Sequence, residues 1–134
     1  MEKGVEKKVV EVVGAVIIDN GKLFATQRGY GDFKDKWEFP GGKIEAGETK
    51  EQALTRELKE ELDIDVSVGK LIKTIEYDYP RFHLILHCML TTIIGGVPSL
   101  LEHESSCWVD KNSIDSLDWL PADFGIVEEI KKYL

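Results

Sequence analysis

The chain has little of what marks exported or membrane-bound proteins. Its 134 residues include only two cysteines, Cys88 and Cys107, which are too few for a disulfide framework, and we expect two reduced thiols. No apolar run approaches the length that spans a bilayer. The N-terminal residues also lack an apolar stretch followed by a small-residue cleavage site. We therefore expect a cytoplasmic protein with no membrane partner.

Basic residues are also scarce. Seventeen Lys and Arg stand against 25 Asp and Glu, a net charge of −8 that would repel a nucleic-acid backbone at long range. We therefore expect no nucleic-acid partner. A hydrophobic content of 43% is enough for one folded core, so we expect a single domain over residues 1–134, with residues 1–8 as a flexible, charged lead-in.

Several segments have the composition of β-strands. Residues 9–27 contain two β-branched runs joined by Asn20-Gly21, which predicts a hairpin. Further strands are predicted over 65–79, 81–94 and 105–110, with a flexible loop over 29–36. Residues 37–42 predict a short strand that ends at a turn, because Pro40 removes a donor and two glycines follow it. Because strands and helices do not alternate regularly, the pattern favours an α/β sandwich with a mixed sheet over a doubly wound one.

Two helices are predicted, each with an apolar face. In the first, Thr49 and Gln52 form a capping box, and the leucines that follow recur every four residues as a stripe facing the core: Leu54, Leu58 and Leu62. The second spans residues 122–134 and turns its apolar residues inward: Ile126, Val127 and Ile130.

The first helix carries an unfavourable cluster of carboxylates. Glu57, Glu60 and Glu61 share one face near its C-terminal end, where they repel one another and oppose the helix dipole. One interpretation is a solvated acidic face that Arg56 and Lys59 partly neutralise. The other is a divalent cation, which would turn the repulsion into attraction.

The segment before the helix favours the cation. The sequence FPGGKIEAGET predicts a tight turn whose exposed carbonyl and amide groups could reach the same ion and a phosphate ligand. Mg²⁺ in proteins is bound by a few carboxylates together with substrate phosphates. The two features together predict a magnesium and phosphate site.

These residues resemble a known family. The Nudix box, G-x5-E-x7-R-E-U-x-E-E-x-G-U, matches at every fixed position except one: Gly42, Glu48, Arg56, Glu57, Leu58, Glu60, Glu61 and Ile64. Asp63 replaces the last glycine, which ends the helix in a left-handed conformation that Asp tolerates. The segments WEFPGGKIEAGET, EYDYP and LPAD look like the MutT-type and CTP pyrophosphohydrolase branches of the Nudix hydrolases.

The resemblance implies a fold, a reaction and a cofactor. The fold is a Nudix α/β/α sandwich with a mixed β-sheet. The reaction is hydrolysis of a nucleoside triphosphate to the monophosphate and diphosphate, with Mg²⁺ that Mn²⁺ can replace. By the same resemblance the metal ligands are the backbone carbonyl of Gly41 and the carboxylates of Glu57, Glu60 and Glu61.

Other roles also follow from the resemblance. Glu48 and Arg56 form an ion pair that supports the box together with Gly42. Glu57 and Glu61 belong to the catalytic set, as does Glu102, which matches a loop acid that reaches the metal site in similar enzymes. Either Glu57 or Glu102 is the general base.

Four further residues are candidates for binding the substrate. Arg28 matches an arginine of the MutT pattern and could pair with a phosphate oxygen, while Lys43 is either a phosphate ligand or a solvated lysine. Phe39 and Tyr79 are either stacking partners of the base or core residues. A zinc site formed by His83, His87, His103 and the cysteines has no supporting spacing.

Asp123 bears on the identity of the base. MutT has an asparagine at the matching position, whose amide both donates and accepts, whereas an ionised aspartate only accepts. An acceptor suits the amino group of cytosine, so we expect CTP, dCTP or an oxidised pyrimidine nucleotide as substrate. Alternatives are that Asp123 caps the last helix, that a buried, protonated Asp123 binds 8-oxo-dGTP, or that the domain senses nucleotides without catalysis. A monomer and a homodimer both remain open.

Overall fold

A computed structural model describes residues 7–29, 31–101 and 105–134. Most of the lead-in predicted over residues 1–8 therefore lies outside the described residues, and Lys8 begins the first strand. Within the described ranges, no helix is long and apolar enough to cross a membrane.

The described residues form seven strands and three α-helices. In chain order they are β1 (Lys8–Asp19), β2 (Lys22–Gln27), β3 (Trp37–Glu38), β4 (Gly41–Lys43), α1 (Lys50–Leu62), β5 (Asp65–Asp78), β6 (Phe82–Gly95), β7 (Ser105–Val109), α2 (Pro121–Phe124) and α3 (Val127–Ile130). One short 3₁₀ turn, Ile114–Ser116, lies between β7 and α2, and another, Lys131–Tyr133, comes after α3.

The strands form one mixed sheet. Its main order is β3-β2-β1-β6-β5, with β4 paired to β1 and β7 paired to β2. β1 and β6 run parallel, whereas β1 runs antiparallel to β2 and β4. Asn20 and Gly21 both have positive φ angles, of 51° and 72°, as the predicted hairpin turn requires. The prediction of a mixed sheet is confirmed.

A hydrophobic core lies on each face of the sheet. Because side chains alternate along a strand, β1 sends Val13, Ala15 and Ile17 to the face that carries α1 and its leucines. Val16, from the same strand, packs on the other face against α2 and α3. The arrangement is the predicted α/β/α sandwich.

The C-terminal helix differs from the prediction. A continuous helix over residues 122–134 is wrong, because α2 ends at Gly125 and Ile126 adopts φ −112° and ψ −1° before α3 begins. A Cβ at Gly125 would lie 3.2 Å from the carbonyl oxygen of Ala122 and 3.4 Å from Ile75, so the chain turns where it touches β5. The residues predicted to face inward are nevertheless buried: Ile126, Val127 and Ile130.

The short strand predicted within residues 37–42 ends before Pro40, as expected. Pro40 separates β3 from β4 because it has no N–H to donate, and its carbonyl instead accepts a 2.8 Å hydrogen bond from Ala15. The interruption places Phe39 and the two glycines that follow Pro40 beside β1 and α1.

Candidate active site

Both ends of α1 are fixed by side-chain and backbone bonds. At the start, Thr49 accepts a hydrogen bond from the Gln52 N–H at 3.1 Å and donates its own N–H to the Gln52 side chain at 2.9 Å. At the end, Asp63 adopts φ 55° and ψ 46° and donates its N–H to the Lys59 carbonyl. Asp63 thus takes the left-handed conformation of the glycine that it replaces, and the helix presents its acids at a fixed position.

The turn before α1 approaches those acids closely. A Cβ at Gly42 would contact the Glu57 carboxylate, and one at Gly41 would contact the backbone carbonyl of Val13. Only glycine permits the approach to the Val13 backbone, and a side chain at residue 42 would displace the Glu57 carboxylate. The backbone of β4 therefore lies directly against Glu57.

Arg56 connects this turn to the acids. Its guanidinium bonds both carboxylate oxygens of Glu48, at 2.8 and 2.9 Å, and the Lys43 carbonyl at 3.0 Å. Its Nη1 also reaches Glu57 at 2.8 Å and Glu60 at 3.3 Å. The hydrogen bonds from Arg56, and one from the Glu45 N–H, lower the pKa of Glu48 to about 2. The predicted ion pair of Glu48 and Arg56 is present.

The three acids of the predicted metal site differ in exposure. Glu61 is 7% exposed, the Glu57 side chain 15% and the Glu60 side chain 58%. Within the described ranges, no group of three His, Cys, Asp or Glu is arranged to hold a metal ion as the side chains stand, and two of these acids bond Arg56 instead.

The chemistry of the donors nevertheless fits a hard divalent cation. Carboxylate oxygens of Glu57, Glu60 and Glu61, with the carbonyl of Gly41, are ligands that Mg²⁺ takes, and Gly41 and Glu61 line the same cavity. When bound, such an ion polarises phosphate oxygens and activates water.

A cavity of about 200 Å³ joins the acid helix to the α2 region. Its lining includes Glu61 together with Gly41 and Gly42, and also Asp123, which precedes Phe124 at the end of α2. A nucleotide in this cavity could therefore contact the acids and the α2 region at once.

Aromatic rings form one wall of the cavity. The Tyr79 ring packs 5.3 Å from Phe33 and 5.1 Å from Phe82, and its hydroxyl accepts a hydrogen bond from the Ala122 N–H at 3.2 Å. Phe39 is 5% exposed and packs 5.0 Å from Trp119. Both predicted aromatic residues are thus buried and also line the cavity.

Asp123 lies buried in the cavity lining. It is 5% exposed, and its Oδ2 accepts a 2.9 Å hydrogen bond from the Phe39 N–H. Burial raises the pKa of Asp123 to about 8, with a further increase from the charge of Glu38, against the opposing effects of the Phe39 N–H and Arg28. The carboxyl is therefore mostly neutral at pH 7. The alternative that Asp123 caps the last helix is wrong, because it lies inside α2 and the residue at the N-cap of α3 is Ile126.

The other predicted site residues have different positions. Arg28 lines the cavity, with Nη1 donating to the Asp32 carbonyl at 3.2 Å and Nε 3.5 Å from Glu38. Lys43 is exposed on β4 and does not belong to the cavity lining. Glu102 lies outside the described residues, as does His103.

Sequence reasoning missed two of the aromatic wall residues. Phe33 lies in the loop that was predicted to be flexible, where it adopts a positive φ of 67°. Phe82 begins β6, and in the sequence it looks like any other apolar strand residue. The only available signal was the clustering of aromatic residues around the Tyr79-Pro80 turn.

Comparison with known proteins agrees with this geometry. The NUDIX domain profile matches residues 8–130. The 8-oxo-dGTP diphosphatase of Escherichia coli K12 is 35% identical over 127 residues, covering 94% of this chain and 98% of the relative. The CTP pyrophosphohydrolase of the same strain is 34% identical over 122 residues, covering 90% of each. A MutT structure from methicillin-resistant Staphylococcus aureus is 38% identical, with a TM-score of 0.76, covering 95% of this chain and 98% of that one.

The chain belongs to the Nudix family and is a Nudix hydrolase. Relatives named as a diphosphatase and a pyrophosphohydrolase match it over at least 90% of both chains. Nudix hydrolases require a divalent cation such as Mg²⁺, which agrees with the chemistry of the acids on α1.

Proposed function

We propose that the protein hydrolyses 8-oxo-dGTP to 8-oxo-dGMP and diphosphate, with Mg²⁺ as cofactor, and so removes an oxidised precursor from the cytoplasmic nucleotide pool. The supporting observation is the neutral state of Asp123. The preference for cytosine expected from the sequence assumed an ionised, acceptor-only carboxylate, and a pKa of about 8 removes that assumption.

A neutral carboxyl matches the edge of oxidised guanine. Its O–H donates and its carbonyl oxygen accepts, as the amide of an asparagine does. Guanine offers two adjacent acceptors, O6 and N7, whereas 8-oxoguanine carries a proton on N7 and so offers an acceptor beside a donor. Ordinary guanine would leave one of the two contacts unmade inside a dry cavity, which costs about 1–3 kcal/mol.

The remaining residues have complementary roles. Phe33, Tyr79 and Phe82 supply aromatic surface for the base, at about 1–3 kcal/mol per stacked base. Glu57, Glu60, Glu61 and the Gly41 carbonyl hold the cation at the phosphates. Glu57 or Glu102 takes the proton of the attacking water. Arg56, which is itself bonded to Glu48, holds Glu57 in position.

CTP is the second candidate substrate. A neutral carboxyl also complements cytosine, because it can accept from the N4 amino group while it donates to N3. The 34% identity to a CTP pyrophosphohydrolase favours this candidate as well.

Substrate rates at several pH values test the proposal. We expect kcat/KM for 8-oxo-dGTP to exceed those for dGTP, CTP and dCTP, and to fall as the pH rises through about 8, where Asp123 loses its proton. Asp123→Asn should retain activity on 8-oxo-dGTP and lose this decline, because an amide does not titrate. A higher kcat/KM for CTP or dCTP would show that the preferred base is cytosine and not oxidised guanine.

A domain that only senses nucleotides is distinguished by product release. We expect Mg²⁺-dependent diphosphate release by the wild type and its loss in Glu61→Gln. Nucleotide binding by the wild type without release above the level of the variant would favour the sensor.

A further inference from the structure

Three polar side chains form a hydrogen-bonded chain on the sheet, outside the cavity described above. The Nε2 atom of His87 lies 2.6 Å from the Glu11 carboxylate, and its Nδ1 atom lies 2.8 Å from the Thr74 hydroxyl. None of the three residues lines the cavity that contains Asp123. The nucleotide reaction proposed above therefore gives them no role.

The sheet places all three side chains on one face. Thr74 of β5 lies directly across from His87 of β6. His87 is two residues from Met89, and Glu11 is two residues from Val13, and both of these apolar residues pack on the α1 side. Glu11 therefore meets His87 on that side, beyond the end of the leucine stripe.

The acid determines which ring nitrogen carries the proton. A carboxylate has no proton to donate, so the short bond to Glu11 requires Nε2–H as the donor. In the neutral ring, Nδ1 is then an acceptor, and the Thr74 hydroxyl donates to it. This arrangement of hydroxyl, imidazole and orienting acid is the one that activates a nucleophilic hydroxyl.

The exposure of the three residues suits such a reaction. His87 is only 7% exposed, whereas Thr74 is exposed and the Glu11 side chain is half exposed. The base is thus held in a fixed orientation while the hydroxyl remains accessible to a reagent.

A second cleft adjoins this group. It has a volume of about 520 Å³ and lies between the start of α1 and the irregular part of β5, with Glu11 in its wall. Its apolar lining includes Leu71 and Met89, which form the cross-strand pair on the same face next to His87. A small apolar group in the cleft would lie against Leu71, Met89 and the Glu11 side chain that bonds His87.

We propose that Thr74 is an activated nucleophile that accepts an acyl group from activated esters, with His87 as its base and Glu11 as the residue that orients His87. Thr74 Oγ1 attacks the ester carbonyl carbon and its proton passes to His87 Nδ1. The bond from that carbon to the leaving oxygen breaks, and this oxygen departs with the bonding electron pair. The proton on His87 Nδ1 then passes to the departing alkoxide or, for a stable phenolate, to solvent. The product is an ester of Thr74, and no oxidant or reductant takes part.

The test uses p-nitrophenyl acetate with the full-length protein. We expect a rapid release of about one equivalent of p-nitrophenolate per chain. Peptide mass spectrometry should then locate an acetyl group on Thr74. Thr74→Val, a β-branched isostere without the hydroxyl, should lose the rapid phase, and Thr74→Ser should retain it.

Variants of the two partners separate activation from mere exposure. His87→Gln should slow acetylation of Thr74 by about 10²-fold or more, since a positioned general base contributes at least that factor. Glu11→Gln, at a half-exposed position, should slow it about tenfold or more. Nucleotide hydrolysis by each variant serves as the control for folding, because none of these residues lies in that site.

Two results would overturn the proposal. One is a wild type in which residue 74 carries no more acetyl group than it does in Thr74→Val, which has no hydroxyl to acetylate. The other is an acetylation rate at Thr74 that is unchanged in Glu11→Gln. Because Glu11 and Thr74 are surface positions, these results stand even if His87→Gln fails to fold.

Discussion

The backbone N–H of Phe39 donates a 2.9 Å hydrogen bond to Oδ2 of Asp123. This bond connects the segment between β3 and β4 to α2 across the cavity, and it holds the carboxyl group where burial raises its pKa to about 8. The contact fixes the orientation of the acid that we assign to the base, and burial keeps that acid protonated against the opposing effect of this hydrogen bond.

The first prediction concerns stability and pH. Between about pH 4 and 8 the folded protein retains the Asp123 proton, while the unfolded chain, with an ordinary pKa of 3.8, has released it. The free energy of unfolding should therefore fall as the pH rises through this window. Urea denaturation at several pH values should show a smaller fall in Asp123→Asn. Asp118→Asn, at an exposed aspartate, should keep the slope of the wild type.

The second prediction concerns the ion pair that supports the box. The folded pKa of Glu48 is about 2 against an ordinary value of 4.5, so its contribution to stability is present above about pH 4.5 and is lost as the pH falls toward 2. Glu48→Gln should destabilise the protein at neutral pH and reduce the loss of stability in acid. Acid titration followed by circular dichroism measures both effects. Glu51→Gln, at an exposed acid on the same helix, should titrate like the wild type.

A third prediction separates close approach from backbone strain in the glycine turn. Gly42→Ala places a methyl group against the Glu57 carboxylate, so it should weaken Mn²⁺ binding and slow catalysis. Gly47→Ala meets open space but has a positive φ of 84°, so it should cost about 1–2 kcal/mol of stability without changing Mn²⁺ affinity. Equal Mn²⁺ affinities in the two variants would contradict this account of the turn.

The fourth prediction concerns Phe33. Phe33→Asn keeps a residue that tolerates the positive φ of 67° and removes the aromatic surface beside Tyr79. We expect a small loss of stability, because Phe33 packs half-buried against the core, and a KM for the nucleotide that rises about tenfold, from the loss of a stacking contact of about 1–3 kcal/mol. Phe124→Asn is the matched control, because Phe124 is exposed and lies outside the cavity lining. A KM that changes equally in both variants would remove Phe33 from the base site.

Local patterns predicted the framework of this site. The capping box at Thr49 and the leucine stripe depend on neighbouring residues in the chain, and both are present in α1. The mixed sheet and the pairing of Glu48 with Arg56 also follow from the sequence and its family resemblance. The structure of the C-terminal region did not follow from the sequence, because the break at Gly125 depends on contact with β5.

The protonation state of Asp123 could not be read from the sequence either. It depends on the burial of the side chain and on charges that approach it only in the folded chain. The sequence left an ionised acceptor and a neutral donor as alternatives, and only the neutral form complements 8-oxoguanine as well as cytosine. The roles of Arg28, Lys43 and the three acids of α1 stay predictions until binding is measured.

Calorimetric titration of the protein with Mn²⁺ tests the central claim most directly. We expect saturable binding by the wild type and a loss of affinity of about tenfold or more on replacing any one of the three carboxylates with its amide, in Glu57→Gln, Glu60→Gln and Glu61→Gln. The same titration of Glu51→Gln, which lies on α1 away from the cluster, should match the wild type. Binding that is absent in the wild type, or unchanged in all three variants, would contradict the assignment of these acids to the metal site.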